Sequence, residues 1–285
     1  MRKVYFDANV INRAKEFWTA GEFEALLKAQ GDVPSIGVHL IYELARGSLH
    51  VEKVERIRSL FGFLNELEDP HYVPPTKDLI KNEILKAQTG AIVLSVMSKE
   101  NQRRMKEVIW RMAEGLTDVA KQFIREREDR IKGEAPQISQ EVIHWVDEFQ
   151  RANPEYGRIP GTFRVFRESL TIEDFLSILR IGTRGMGLEV SELDMRRILS
   201  NPNDYPVFNT WFNSVLYLNW IPIRHRVAPS PARFDDFRHL IDCCASDLFV
   251  SDDDELIKRF PDINPYREYL SWDTFKAILE GNNSI

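Results

Sequence analysis

Two short apolar runs in this chain stop abruptly at acid. Leu248, Phe249 and Val250 run into Ser251, Asp252, Asp253 and Asp254, and Val4, Tyr5 and Phe6 run into Asp7. Continuous apolar runs this short read as strands buried on both faces. In parallel α/β sheets, ligands bind beyond the carboxyl ends of the strands. Carboxylates gathered there repel one another unless a proton or a cation holds them. Asp7 by itself would serve as the N-cap of the next helix, a role Asp fills well. The same pattern at Asp253 points beyond capping.

The residues before the second run are helical. Phe237, Leu240, Ile241 and Cys244 recur at i, i+3, i+4 and i+7 and form one apolar face. Asp236, His239 and Cys243 lie on a neighbouring face. After Asp7, residues 10–31 read as helical, with Phe17, Phe23, Leu26 and Leu27 as core candidates. Val33 to Ile36 is a second strand, and Val38 to Arg46 a helix ended by Gly47. Glu43 stands at the edge of its apolar face. Glu52 to Leu67 is amphipathic, Tyr72 and Val73 form a short strand closed by two prolines, and Thr76 to Ala87 is helical with Thr76 as its cap. Glu83 in that helix reads as a surface residue.

From about Thr89 to Ser230 long helical patterns dominate. Arg103, Arg104, Lys106 and Arg111, then Arg125, Arg127, Arg130 and Lys132, are interleaved with acids, as on solvated helix faces. RIGTRGMG, residues 180–187, lacks both the phosphate-loop pattern and a preceding strand, and reads as a turn. The aromatic-rich stretch Tyr205 to Trp220 has helical spacing and reads as core. Pro222, Pro229 and Pro231 make an extended link into the Asp236 helix. At the end of the chain, Asp254 to Phe260 is a short helix, Tyr266 to Leu270 an edge strand and Ser271 to Leu279 a last helix.

At 285 residues with 43% apolar and 29% charged side chains, the chain belongs with soluble globular proteins. It carries no run long enough to span a membrane, and MRKVYFD has no signal-peptide core. The two cysteines are adjacent, so no disulfide framework exists and a cytoplasmic location is expected. A net charge of −6 excludes a protein coated in positive charge but not a local basic patch that holds phosphates.

Four carboxylates therefore share a context: Asp7 and Asp253 after strands, Glu43 and Asp236 on helices. Hard oxygen donors of this kind suit Mg²⁺ or Mn²⁺. No His/Cys spacing supports zinc, no G-x-S-x-G marks a serine hydrolase, and no GxGxxG follows a strand. Metal-assisted phosphodiester hydrolysis is the chemistry that fits.

These motifs resemble the PIN-domain nuclease family. FDANVI (6–11) resembles its opening strand with D-x-N, HLIYELARG (39–47) the helix bearing its second acid, and DDFRHLIDCCASDLFVSDDDEL (235–256) its D-x-x-H helix with the strand and "(T/S)-x-D" turn. VEKVERIRSLFGFLNELED and HYVPPTKDLIKNEIL resemble its middle portion. The resemblance covers residues 1–90 and 232–285, and leaves 91–231 as an unmatched helical insertion. It implies a three-layer α/β/α core with a mostly parallel sheet, joined to a large all-helical insertion. It also implies Mg²⁺ or Mn²⁺ held by Asp7, Glu43, Asp236 and Asp253, with Asn9, Ser251 and His239 in support. Asp252 or Asp254 could replace Asp253, and Asp235 could replace Asp236. Asp252 and Glu255 are expected as a helix-start capping pair, and Asp235, Asp242, Asp247 and Asp254 as surface or supporting charges.

RNA is the implied substrate, with a protein inhibitor or a second copy as further partners and no membrane. Three other readings compete: a PIN-like module that binds RNA or protein with little catalysis, a phosphatase of the haloacid dehalogenase type, and a helical insertion that is itself the functional platform. The phosphatase would need a second Asp where Asn9 stands.

Overall fold

The computed structural model describes residues 1–46, 50, 53–91, 96–115, 161–225 and 229–281, with isolated positions between 118 and 154. Five strands form one sheet: β1 (Arg2–Phe6), β2 (Asp32–Gly37), β3 (His71–Val73), β4 (Leu248–Ser251) and β5 (Glu268–Ser271). All neighbours are parallel, in the order β3-β2-β1-β4-β5. The chain builds outward from β1 on one side, then crosses to place β4 on the other. The gap between β1 and β4 is thus the topological switch point, where parallel sheets open a crevice beyond their carboxyl ends.

Side chains alternate across a strand, and the core divides accordingly. Val4, Phe6, Leu248 and Val250 belong to one apolar cluster and Tyr5 and Phe249 to another, so helices cover both faces in three layers. The first layer holds α1 (Ala8–Phe17), α2 (Ala20–Ala29), α3 (Val38–Arg46), α4 (Val54–Asn65) and α6 (Lys99–Ala113), with α13 (Trp272–Leu279). The second holds α5 (Thr76–Thr89), α7 (Phe163–Ser169), α8 (Ile172–Gly185), α9 (Glu192–Ser200), α10 (Pro206–His225), α11 (Pro231–Asp242) and α12 (Asp254–Ile263). The described helices of the insertion join these same two clusters: α6 packs on α4, while α10 packs on α5, α11 and α12.

Several sequence expectations are corrected. The stretch 10–31 is two helices, because Thr19 and Glu22 form a reciprocal capping box that starts α2 afresh. Phe17, at the first helix's end, is 49% exposed and outside the core. Arg180 to Gly185 continue α8 instead of turning. Gly182 is needed there because a Cβ would stand 2.9 Å from the Trp211 ring. The turn comes at Gly187, whose φ is 67°. Helix α10 runs through Pro222 as far as His225, so that proline lies within the helix and not in an extended link. Of the helical patterns expected between about Thr89 and Ser230, those from 116 to 160 fall largely outside the described residues.

Candidate acidic site at the carboxyl edge of the sheet

The register that pairs Phe6 with Val250 sets Asp7 beside Ser251. Asp7 is buried and heavily engaged. One oxygen accepts from the Val10 N–H at 2.8 Å and caps α1. The other accepts from the Ser251 hydroxyl and from the Asp252 N–H at 3.2 Å. Burial raises the Asp7 pKa above the usual carboxylate range despite these donors. Ser251 is fully buried and faces both ways, since its oxygen also accepts from the Asp253 N–H at 3.0 Å. Asp253, not Asp252, caps α12: it accepts from the N–H groups of Glu255 and Leu256 at 2.8 and 3.1 Å. The expected capping pair of Asp252 and Glu255 is therefore overturned. Asp252 turns outward to Arg13 at 3.1 Å, and Asp254 is exposed. The geometry of the turn selects Asp253, the residue two beyond a hydroxyl that is itself tied to Asp7.

A second arm comes from the helices. Strand β2 passes straight into α3 at Gly37, and α3 packs against α11. Glu43 on α3 meets His239 on α11 at 2.6 Å through Nε2. The other ring nitrogen, Nδ1, is 3.1 Å from the Tyr5 hydroxyl. Burial lowers the His239 pKa, but the Glu43 hydrogen bond and the charges of Glu43, Asp7 and Asp242 outweigh it and raise the value overall. For Glu43, burial pushes up and the bond to His239, its charge and Arg46 push down further, leaving it below its ordinary value. Both shifts favour the charged pair.

Asp236 precedes His239 by one turn, at i, i+3 on α11. Its carboxyl is pushed up to about 6, first by burial and then by the like charge of Asp253, with Glu43 adding to it. Asp235 faces bases instead: Arg238 at 3.4 Å, Arg46 at 3.6 Å and His39 at 4.0 Å. Asp236 is thus the acid that shares its surroundings with the others. Asn9 stands exposed on the first turn of α1.

Asp242, expected as a surface or supporting charge, is 1% exposed. It accepts from the Thr76 hydroxyl at 2.6 Å, and burial pushes it up to about 6. Thr76 consequently serves Asp242, while Pro75 occupies the cap position of α5. Tyr5, Thr76 and Asp242 were missed as members of the buried polar web. A signal existed for one of them: Asp235, His239 and Asp242 recur at i, i+4 and i+7, a polar stripe along α11.

The donor chemistry of Asp7, Glu43, Asp236 and Asp253 suits a hard divalent cation. As they stand, however, Asp7 commits both oxygens to internal donors, and Glu43 and Asp253 commit one each. Among the described residues no group of three or more His, Cys, Asp or Glu is placed to hold a metal ion. No helix among those residues is long and apolar enough to cross a membrane. Comparison of the chain with family models, curated proteins and solved structures gives no match.

Proposed function

We propose that the chain is a Mg²⁺- or Mn²⁺-dependent nuclease that hydrolyses phosphodiester bonds in RNA, as its resemblance to the PIN-domain family implies. One observation carries this reading. Acids from four separate elements converge at the switch point of a parallel sheet, linked as Asp7–Ser251–Asp253 and Glu43–His239, with Asp236 feeling the charge of both arms.

Each residue has a task in this reading. Ser251 holds Asp7 and the Asp253 turn in fixed register. His239 keeps Glu43 ionised and oriented, braced in turn by Tyr5. Asp236, raised by burial and by the charges of Asp253 and Glu43, gains from a cation's arrival. A bound divalent cation supplies activation of water and stabilisation of charge on the attacking and leaving oxygens. The two buried cysteines, Cys243 and Cys244, suit a reducing compartment such as the cytoplasm.

The test is cleavage of mixed single-stranded RNA by purified protein with Mn²⁺, with the cut ends mapped. Asp7→Asn and Asp236→Asn should each lower the rate at least about a hundredfold, by loss of charge where water must be activated, and chelation should abolish it. Undiminished cutting by Asp236→Asn, or cutting that survives chelation, sinks the proposal. The second reading is an RNA- or protein-binding module of the same fold without catalysis. The commitment of both Asp7 oxygens to internal donors and of Asp253 to capping α12 favours it. Parent protein that retains RNA and leaves it intact in Mn²⁺ would establish that reading.

A further inference from the structure

The acidic site has a neighbour of different chemistry. A cavity of about 440 Å³ opens between the end of α10, the start of α11 and the side of α12. Its size falls within the range of small-molecule sites, roughly 300–1,000 Å³. Its lining combines Tyr217 and Trp220 of α10 with His225, Ser230, Arg233 of α11 and Arg259 of α12. We propose that this cavity is a nucleotide subsite that takes one base-and-phosphate unit of a single-stranded polynucleotide next to the acids. It rests on the nucleic-acid reading of the acidic site and names where the substrate lies.

Three observations converge on that ligand. First, the walls combine the two chemistries a nucleotide needs. Aromatic rings stack on bases irrespective of sequence, and guanidinium groups grip phosphate oxygens in a fixed fork. Trp220 already packs edge-on against His225, with ring centres 5.5 Å apart, and tilts against Tyr217 at 5.2 Å. Second, two polar groups lining the cavity lack partners among the described residues. The Trp220 indole N–H is buried with no hydrogen-bond partner among the described residues, although buried donors are nearly always satisfied. An acceptor on a base edge would supply what it lacks. Arg233 makes no ion pair among the described residues, whereas Arg259 is held by Glu255 at 2.6 Å. Third, the cavity is aligned with the acids. Arg233 precedes Asp236 by one turn on α11, at i, i+3, so the two share a helix face. The charge of Arg259 also reaches Asp236. A phosphate held by Arg233 would therefore flank the acidic site, where the carboxylates alone would repel it.

The measurement is fluorescence anisotropy of a labelled single-stranded RNA octamer titrated with the full chain in EDTA, so that binding is read without cleavage. Arg233→Ala should weaken binding at least fivefold and flatten its salt dependence by about one ion. Trp220→Phe keeps a ring and loses the N–H, and should weaken binding about threefold. Arg104→Ala, on the distant α6, should change nothing. Melting curves of each variant separate lost contacts from lost folding. Equal weakening by Arg104→Ala means diffuse charge and overturns the subsite. So does parent protein that fails to bind the octamer, or that binds free adenosine 5′-monophosphate more tightly than the octamer. Cleavage by parent protein together with parent-like binding by Arg233→Ala sinks the subsite alone. Binding that depends on Arg233 in a chain that never cuts RNA sinks the nuclease reading and leaves the subsite standing.

Discussion

Gly37 has no room for a side chain. A Cβ there would lie 2.9 Å from a Tyr5 ring carbon, 3.0 Å from its hydroxyl and 3.1 Å from a carboxylate oxygen of Asp242. Tyr5 and Asp242 are buried and fixed by His239 and Thr76, so none of these atoms can retreat cheaply. Gly37→Ala should cost about 1–3 kcal/mol by overpacking, read as a lower urea midpoint. An unchanged midpoint would mean the web is softer than it is drawn here. At this scale Asp7 and Ser251 were legible in the sequence, because each stands where a short apolar run ends. That Asp253 and not Asp252 caps α12 was not, since adjacent aspartates look alike until backbone geometry decides which one reaches the first N–H groups of the helix. For Asp242 the polar stripe along α11 was a signal, but its burial was not legible, because its partner Thr76 is 166 residues away.

Between elements, Glu83 of α5 ties the insertion to the core. Its two oxygens accept from the Val207 and Phe208 N–H groups at 3.0 and 2.7 Å, capping the start of α10 from another helix. Sequence reading placed Glu83 on the surface because capping is expected from the residue just before a helix, not from 124 positions upstream. The structure finds it 8% exposed. Glu83→Ala should destabilise by about 1–3 kcal/mol, the cost of leaving buried donors unpaired. Glu83→Gln, which keeps one acceptor, should cost less. Equal urea midpoints for parent and Glu83→Ala would show that water replaces the carboxylate at no cost. Other elements read well from periodicity alone, α3 and α11 among them. Those that failed did so through local chemistry that overrides periodicity: the capping box at Thr19 divides one expected helix into two, and Gly182 stays helical because Trp211 packs on it.

Across the whole molecule, short apolar runs ending in acid foretold a sheet with a crevice, but strand order rests on long-range pairing that no local pattern encodes. The same crevice sets how stability depends on pH. Asp7, Asp236, Asp242 and Glu83 all have raised pKa values, with burial as the leading cause: Asp236 and Asp242 are near 6 and Glu83 is near 7. For each, the unfolded chain ionises first, near pH 4. As pH climbs from there to the folded value, the unfolded state holds fewer protons than the folded one, and stability falls. For Asp236, Asp242 and Glu83 the loss is complete once pH has passed the folded values of about 6 to 7, and for Asp7 once it has passed that group's own raised value. For Glu83, the rise from 4.5 to about 7 corresponds to about 3 kcal/mol. His239 acts in the same direction: its raised value stabilises below its ordinary pKa of 6.5 and loses that contribution as pH rises through the folded value. The lowered Glu43 opposes only at acid pH, where its stabilisation disappears as pH falls through its folded value. Thermal melting should therefore occur at higher temperature at pH 5.5 than at pH 8, and Glu83→Gln should flatten the slope. Divalent cations compete with protons for the same carboxylates, so millimolar Mn²⁺ should raise the melting temperature more at pH 8 than at pH 5.5. A melting temperature that ignores pH would mean the buried acids are better compensated than their burial implies. One that responds to pH and ignores Mn²⁺ would confine the acids to a structural role and favour the non-catalytic binding module.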